Sequence, residues 1–151
     1  MCNRTFHFKV TEVDAGWASL LLVFDGKEVH LDVSDVPVDP FEALIASLYN
    51  LLVREHAAEH VDFYVEPGYV RLTLVMQQTT LAVRLGDSRS EKTRNCQTEG
   101  PKLVIVQELM SAIMEFRQLT TPYCDQIWSW GFPSNSFDKL QSIVDLMKQQ
   151  N

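Results

Sequence analysis

The sequence has few cysteines and no long hydrophobic run, and both absences exclude broad classes of protein. Cys2, Cys96 and Cys124 are odd in number and lack C-x-x-C spacing, which favours reduced thiols in a cytoplasm over a disulfide framework. No stretch approaches the roughly 18 consecutive apolar residues that a membrane-spanning helix needs. The N-terminal residues include no apolar segment typical of a secretory signal. We therefore expect a cytoplasmic protein that does not bind a membrane.

The sequence also lacks the motifs that cradle reactive groups. It has no G-x-S-x-G, no P-loop and no G-x-G-x-x-G, which are the usual supports for acyl transfer, nucleotide binding and dinucleotide binding. Cys124 follows a predicted helix start, but its neighbours offer no base to activate the thiol, so we expect a small buried residue. Cys96 is expected to be exposed in a polar segment. These absences predict no cofactor and no enzymatic activity.

What the sequence does have is a strongly uneven charge. Its formal net charge is −7, yet the segment from Glu12 to Glu66 holds twelve acids and two bases, which is −10. The residues before it contribute +2 and those after it contribute +1, so the three parts sum to −7. Such a segment repels nucleic acid and attracts a basic protein partner. The alternative is that the acidity serves solubility alone.

A helix beginning at Pro40 is the clearest structural feature. Asp39, Pro40 and Glu42 are typical of a helix start, with a capping carboxylate, a proline in the first turn and an acid at the capping-box position. The helix is predicted to run to about His56. Its apolar residues recur at helical spacing and predict one buried stripe. They are Phe41, Leu44, Ile45, Leu48 and Leu52.

Strands are predicted on both sides of this helix. Five of them follow from alternating apolar and polar residues, and the continuous apolar run 17–24 predicts a central strand covered on both faces. The six predicted strands are 6–11, 17–24, 28–33, 61–66, 70–76 and 81–85. We therefore predict a single α+β domain over 1–151, in which a mainly antiparallel βββ-α-βββ sheet packs against the central helix.

Two to three helices are predicted in the C-terminal part. Gly86 to Gly100 is polar and glycine-bounded, and predicts a long loop that is either functional or disordered. A helix is expected from Pro101 to about Leu119, although 103–106 also fits a short strand. A short helix from Thr121-Pro122 to about Trp128 and a last helix capped by Ser136 complete the prediction.

One string carries a specific chemical pattern. His56-Ala57-Ala58-Glu59-His60 matches H-x-x-E-H and resembles the string of the inverted zinc peptidases, in which two helical histidines bind zinc and the glutamate is the general base. Only Glu108 or Glu115 can be nominated as a third ligand. The alternative is that both histidines lie at the negative end of the helix dipole, where their charge is favourable.

Acids and aromatics elsewhere have two interpretations each. Asp32, Asp35 and Asp39 span a strand end, a turn and a helix cap, so they serve either ordinary turn and capping roles or a divalent ion, although no EF-hand spacing is present. The string from Trp128 to Pro133, WSWGFP, either pins a turn to the core or forms part of an interface. Trp130 is predicted to be its more exposed tryptophan.

The layout of the whole chain resembles a class of bacterial proteins. An acidic strand face, VDPFEALIASLYNLL, a strand ending in EPG, a polar loop and IWSWGFP before a closing helix are similar to small immunity proteins that neutralise contact-delivered toxins. The resemblance implies a cytoplasmic, non-catalytic protein that covers the active site of a basic toxin, often a nuclease. On that basis the candidate partner-binding residues are Asp32, Asp35, Glu55, Glu59, Asp62, Glu66 and Trp130.

The leading hypothesis is therefore a non-catalytic module that binds a basic protein. One alternative is a small zinc-dependent hydrolase that uses His56, Glu59 and His60. Another is a homo-oligomeric structural or ligand-binding domain, and the sequence leaves open whether the protein is a monomer or a dimer.

Overall fold

The computed structural model describes residues 5–87, 96–121 and 127–150, which form two antiparallel sheets and three helices. The first sheet has the order β1 (Phe6–Asp14), β2 (Trp17–Phe24), β3 (Lys27–Ser34). The second has the order β4 (Ala58–Tyr64), β5 (Tyr69–Met76), β6 (Thr80–Asp87), β7 (Cys96–Pro101). The helices are α1 (Pro40–Leu52), α2 (Lys102–Thr120) and α3 (Ser134–Gln149). The predicted α+β class is confirmed, with the strands divided between two sheets.

The two sheets share one hydrophobic core. Phe8 on β1 and Phe63 on β4 are both buried, and their ring centroids lie 6.3 Å apart, so side chains of the two sheets meet directly. A polar contact also joins the sheets, because the Thr98 hydroxyl on β7 donates to Asp25 Oδ1 at 2.8 Å. Asp25 and Gly26 turn the β2–β3 hairpin with positive φ angles of 51° and 90°, as a tight hairpin turn requires.

Helix α1 begins as the sequence predicts and ends earlier. Asp39 Oδ1 accepts the Phe41 N–H at 2.9 Å, and Pro40 occupies the first turn. The predicted end near His56 is wrong, since the helix stops at Leu52. The chain then turns through Glu55, whose φ of 55° is left-handed and cannot continue a right-handed helix.

Aromatic rings connect α1 to α2 in the core. Phe41 stacks on Phe116 of α2 with ring centroids 3.8 Å apart. Trp128 packs edge-on against both rings, at 5.9 Å from Phe41 and 4.9 Å from Phe116. Trp128 is therefore a core residue, only 2% exposed. The short helix predicted before it falls largely on residues 122–126, which lie outside the described residues, as does Cys124.

The long polar loop predicted over Gly86–Gly100 is wrong at both ends. Strand β6 continues to Asp87, and β7 begins at Cys96, which is fully buried instead of exposed. Cys96 pairs with Leu85 and Thr98 pairs with Val83, so β7 places alternate residues in the core. The predicted loop residues 88–95 lie outside the described residues.

The two C-terminal helices differ from the predictions at their N-terminal ends. Residues 103–106 belong to α2, so the strand interpretation is wrong. Helix α3 begins at Ser134 after Pro133 without a side-chain cap, so the predicted cap by Ser136 is also wrong. Its inward face consists of Phe137, Leu140 and Val144, which are buried. Helix α2 packs along β1, and α3 contacts α1 and α2.

Asp39 gives the fold a testable pH dependence. Burial raises the pKa of the Asp39 carboxyl above its ordinary value of 3.8. The Phe41 and Glu42 N–H groups and the Trp128 indole lower this pKa, but their effect is smaller than that of burial. The stabilising contribution of this group is therefore fully present below pH 3.8 and is lost as the pH rises through the folded-state pKa. Asp39→Asn keeps a capping oxygen without titrating.

We expect Asp39→Asn to gain stability relative to the wild type as the pH rises above 3.8, measured by urea unfolding across the acid range. Asp39→Ala serves as the comparison, because losing the cap oxygen costs about 1 kcal/mol. A stability advantage of the wild type over the Asp39→Asn variant that grows with pH would contradict the assignment.

Candidate functional site

Asp35, directly after β3, joins three separate segments of the chain. It is only 4% exposed. Its Oδ2 accepts the Ser129 N–H at 2.7 Å, and its backbone oxygen accepts the Trp130 indole N–H at 2.5 Å. Its own N–H donates to Gly16 O at 2.9 Å, and the Gly16 N–H donates to Ile127 O at 2.8 Å. The β1–β2 turn, the end of β3 and the 127–130 segment are therefore bound to one another.

Gly16 is required for this close approach. Its φ is +81°, and a Cβ built on it would lie 3.0 Å from Asp35 Oδ1. Any side chain would be strained by the left-handed backbone and would press on the carboxylate. The turn residue and the buried acid therefore fit each other only when the turn residue is glycine.

Exposed hydrophobic side chains flank the segments that Asp35 joins. Four of the eight large hydrophobic side chains that are exposed in the described part of the chain belong to this region: Trp17 (37% exposed), Val36 (49%), Val38 (49%) and Trp130 (43%). We call these four residues the tryptophan patch. Val38 and Trp130 line a shallow groove of about 290 Å³. Single exposed apolar residues are normal, but a group of them indicates an interaction site.

Carboxylates flank Trp17 on the outer face of the first sheet. Asp14 lies directly opposite Trp17 on β1. The next row along the same face places Glu12, Ser19 and Asp32 side by side, and the Ser19 hydroxyl donates to Asp32 Oδ1 at 2.8 Å. These acids therefore lie beside an exposed indole ring.

Glu42 supplies a further acid on the other side of the patch, where it lines the groove with Val38 and Trp130. We call Glu12, Asp14, Asp32 and Glu42 the acidic rim. Within the described residues, no lysine, arginine or histidine lies within ion-pair distance of any of these four carboxylates. The rim therefore carries uncompensated negative charge around apolar surface.

The structure separates the candidate residues that the sequence suggested. Asp32 belongs to the acidic rim, and Trp130 belongs to the tryptophan patch. Asp35, predicted as a partner-binding residue, has a buried and hydrogen-bonded carboxylate, so it does not present its charge on the surface. Its role is to position Trp130.

The other four candidates lie elsewhere. Glu55 is exposed in the α1–β4 connection, and Glu59 accepts a hydrogen bond from the Asn50 amide. Asp62 on β4 binds Arg71 through two hydrogen bonds of 2.7 and 3.0 Å. Glu66 is exposed in the β4–β5 turn. Asp62 is therefore already paired, and no single acidic face gathers all the predicted residues.

The helical placement of the H-x-x-E-H string is also wrong. Because β4 begins at Ala58, Glu59 and His60 point to opposite faces of a strand. His56 precedes the strand, with its Nδ1 3.5 Å from Glu59 Oε1. Over residues 5–87, 96–121 and 127–150, no three His, Cys, Asp or Glu side chains are grouped closely enough to hold a metal ion. Glu108, one nominated third ligand, contacts His7 instead, at 3.3 Å.

Sequence reasoning missed Trp17, Val36 and Val38. It treated 17–24 as a strand covered on both faces, but β2 buries only alternate residues and exposes Trp17. The available signal is the apolar V-P-V segment of residues 36–38, which follows the acids of β3.

No protein-family model, no curated protein and no solved structure matches this chain. Within the part of the chain that the structure describes, none of the helices combines the length and apolar composition needed to cross a lipid bilayer. The function is therefore inferred from the residues of the chain itself.

Asp35→Ala tests how the patch is held. The variant removes the charged acceptor of the part-buried hydrogen bond from the Ser129 N–H, so we expect a loss of about 2 kcal/mol in the free energy of unfolding. We also expect stronger quenching of tryptophan fluorescence by acrylamide, because the segment carrying Trp130 loses an anchor. Asp32→Ala on the exposed face of β3 is the matched control and should stay within about 0.5 kcal/mol of the wild type. Equal effects of the two variants would contradict the role of Asp35.

Proposed function

We propose that this chain is a non-catalytic protein-binding module that docks a basic protein through the tryptophan patch. The observation that carries the proposal is the pair of exposed tryptophans near buried Asp35, bordered by carboxylates that have no cation within ion-pair distance among the described residues. An apolar centre with a polar rim is the usual anatomy of a protein interface. Tryptophan is also the residue type most enriched among the side chains that dominate binding energy.

The two parts of this surface have different physical roles. The indole rings of Trp17 and Trp130 supply rigid area that can be desolvated with little loss of side-chain entropy. The acidic rim raises the rate of encounter with a basic partner and disfavours acidic competitors, including nucleic acid. Binding through both should weaken as salt increases, since rim charges are exposed and screened.

A finer proposal is an immunity-type role in the cytoplasm, in which the basic partner is a toxin. The resemblance in layout to small immunity proteins supports this choice, and so does the negative charge of the acidic rim. The active site of a nuclease is built to attract polyanions, so an acidic surface with an aromatic centre has the complementary charge. Covering that site would inhibit the toxin without any chemistry by this chain.

The charge of the rim also argues against a symmetric dimer through the patch. A two-fold interface brings the same surface of both copies together. Carboxylates of the acidic rim would then face carboxylates of the other copy, and like charges placed opposite one another are unfavourable. A partner of opposite charge removes that repulsion.

The test compares patch variants with a matched exposed hydrophobic residue. Trp17→Ala and Trp130→Ala remove patch rings, whereas Leu146→Ala removes an exposed side chain on α3, 58% exposed. Baits of wild type and variants, each first checked for an unchanged unfolding transition, are used to capture proteins at low salt. The products of neighbouring genes are included as candidates. We expect a basic partner whose affinity falls roughly thirtyfold in each tryptophan variant and is unchanged in the Leu146→Ala variant.

The purified partner then separates the general proposal from the finer one. Growth arrest by the partner that is relieved by the wild-type chain, and not by the Trp130→Ala variant, is expected for an immunity-type role. A harmless partner that still requires both tryptophans would leave a binding module without that role. If the partner binds all variants equally, or if light scattering shows a dimer disrupted by Trp130→Ala, the docking proposal is wrong.

A further inference from the structure

A second groove lies between α1 and α3 and has a different chemistry. Its volume is about 370 Å³, in the range of small-molecule sites. Ile45, Ala46 and Tyr49 on α1 form an apolar floor, and Ser136 on α3 borders it. Most small-ligand sites combine an apolar wall with a few polar groups that fix orientation.

Two cations meet on the ring of Tyr49 at one end of this groove. Lys139 Nζ on α3 lies 4.9 Å from the ring centroid, and the guanidinium carbon of Arg54, just after α1, lies 5.9 Å from it. Neither cation has a carboxylate of the described residues within ion-pair distance. Two elements of the fold therefore bring uncompensated positive charge to one aromatic ring, in a protein whose net charge is −7.

This arrangement favours an anion over water. Two like charges near one ring repel each other, and the electron-rich face of Tyr49 offsets only part of that repulsion. A carboxylate or phosphate near Arg54 and Lys139 would reduce this excess of positive charge and accept charge-assisted hydrogen bonds. The apolar floor beside the cations then requires a body that is itself apolar.

Glu42 favours one orientation of a ligand in the groove. It lines the end opposite the cations and also borders the groove of the tryptophan patch. Its negative charge disfavours a second anionic group there. A ligand with one anionic end and an apolar body fits this pattern better than a dianion with charges at both ends.

We propose that the α1–α3 groove binds a small organic anion, with its carboxylate or phosphate between Arg54 and Lys139 and its apolar body along Ile45, Ala46 and Tyr49. The proposal does not depend on the partner-binding role. Apart from Glu42, which borders both grooves, it uses other residues, and its ligand is opposite in charge to the proposed protein partner.

The test titrates the full chain with small probes and follows backbone amide shifts by NMR. Phenyl phosphate and phenylacetate carry an anion on an aromatic body, phenylacetamide is the neutral counterpart, and inorganic phosphate lacks the body. We expect saturable shifts centred on the 45–54 and 136–139 amides for the two aromatic anions. The tighter of them identifies the anionic group that the site prefers.

Charge variants give the control. Arg54→Gln and Lys139→Gln should each weaken binding of the better probe about fivefold, the size expected for an exposed charge contact. Lys148→Gln makes the same change on α3 outside the groove, next to Asp145, and should leave the affinity unchanged. Tyr49→Leu should also weaken binding, since it removes the ring shared by the cations.

Several outcomes would overturn this proposal. They are equal binding of phenylacetamide, equal binding of inorganic phosphate, shifts centred elsewhere, the same affinity in all variants, or no saturable binding by either aromatic anion. None of them affects the tryptophan patch, whose variants are tested against a protein partner.

Discussion

The buried carboxylate of Asp35 is the interaction on which the proposed binding surface depends. Burying a carboxylate is costly, and the hydrogen bond that its Oδ2 accepts from the Ser129 N–H offsets part of that cost. Its backbone holds the Trp130 indole at the same time. Hydrogen bonds therefore hold the segments that carry the exposed tryptophans. A partner would bind a surface that is already ordered, so binding would lose less conformational entropy.

Helix α1 separates the core from two grooves of different character. Its buried inner stripe consists of Phe41, Leu44, Ile45 and Leu48, and the small, exposed Ala46 lines both grooves. Glu42 borders both grooves. One groove leads to Trp130 and carries negative charge, and the other leads to Arg54 and Lys139. One helix can thus support two recognition surfaces without changing its packing.

The sequence predicted the features that depend on local patterns and missed those that depend on distant partners. The cap at Asp39 and the buried stripe of α1 involve residues close in the chain, and both are present. The burial of Asp35 depends on Ser129, 94 positions away, and nothing near Asp35 indicates it. Strand β7 was missed because Gln97 and Glu99 make its composition polar although Cys96 and Thr98 are buried. The H-x-x-E-H string was placed on a helix because no glycine or proline marks the turn at Glu55.

The packing of α2 along β1 has a consequence for synthesis of the chain. His7 on β1 meets Glu108 on α2, and the two are 101 positions apart. Because α2 packs along β1, this strand lacks part of its cover until the ribosome has made most of the protein. Apolar strand surface that stays exposed until a later helix has been synthesised is prone to association with other nascent chains. Chaperone dependence during translation is the expected result, and slower elongation would prolong that interval.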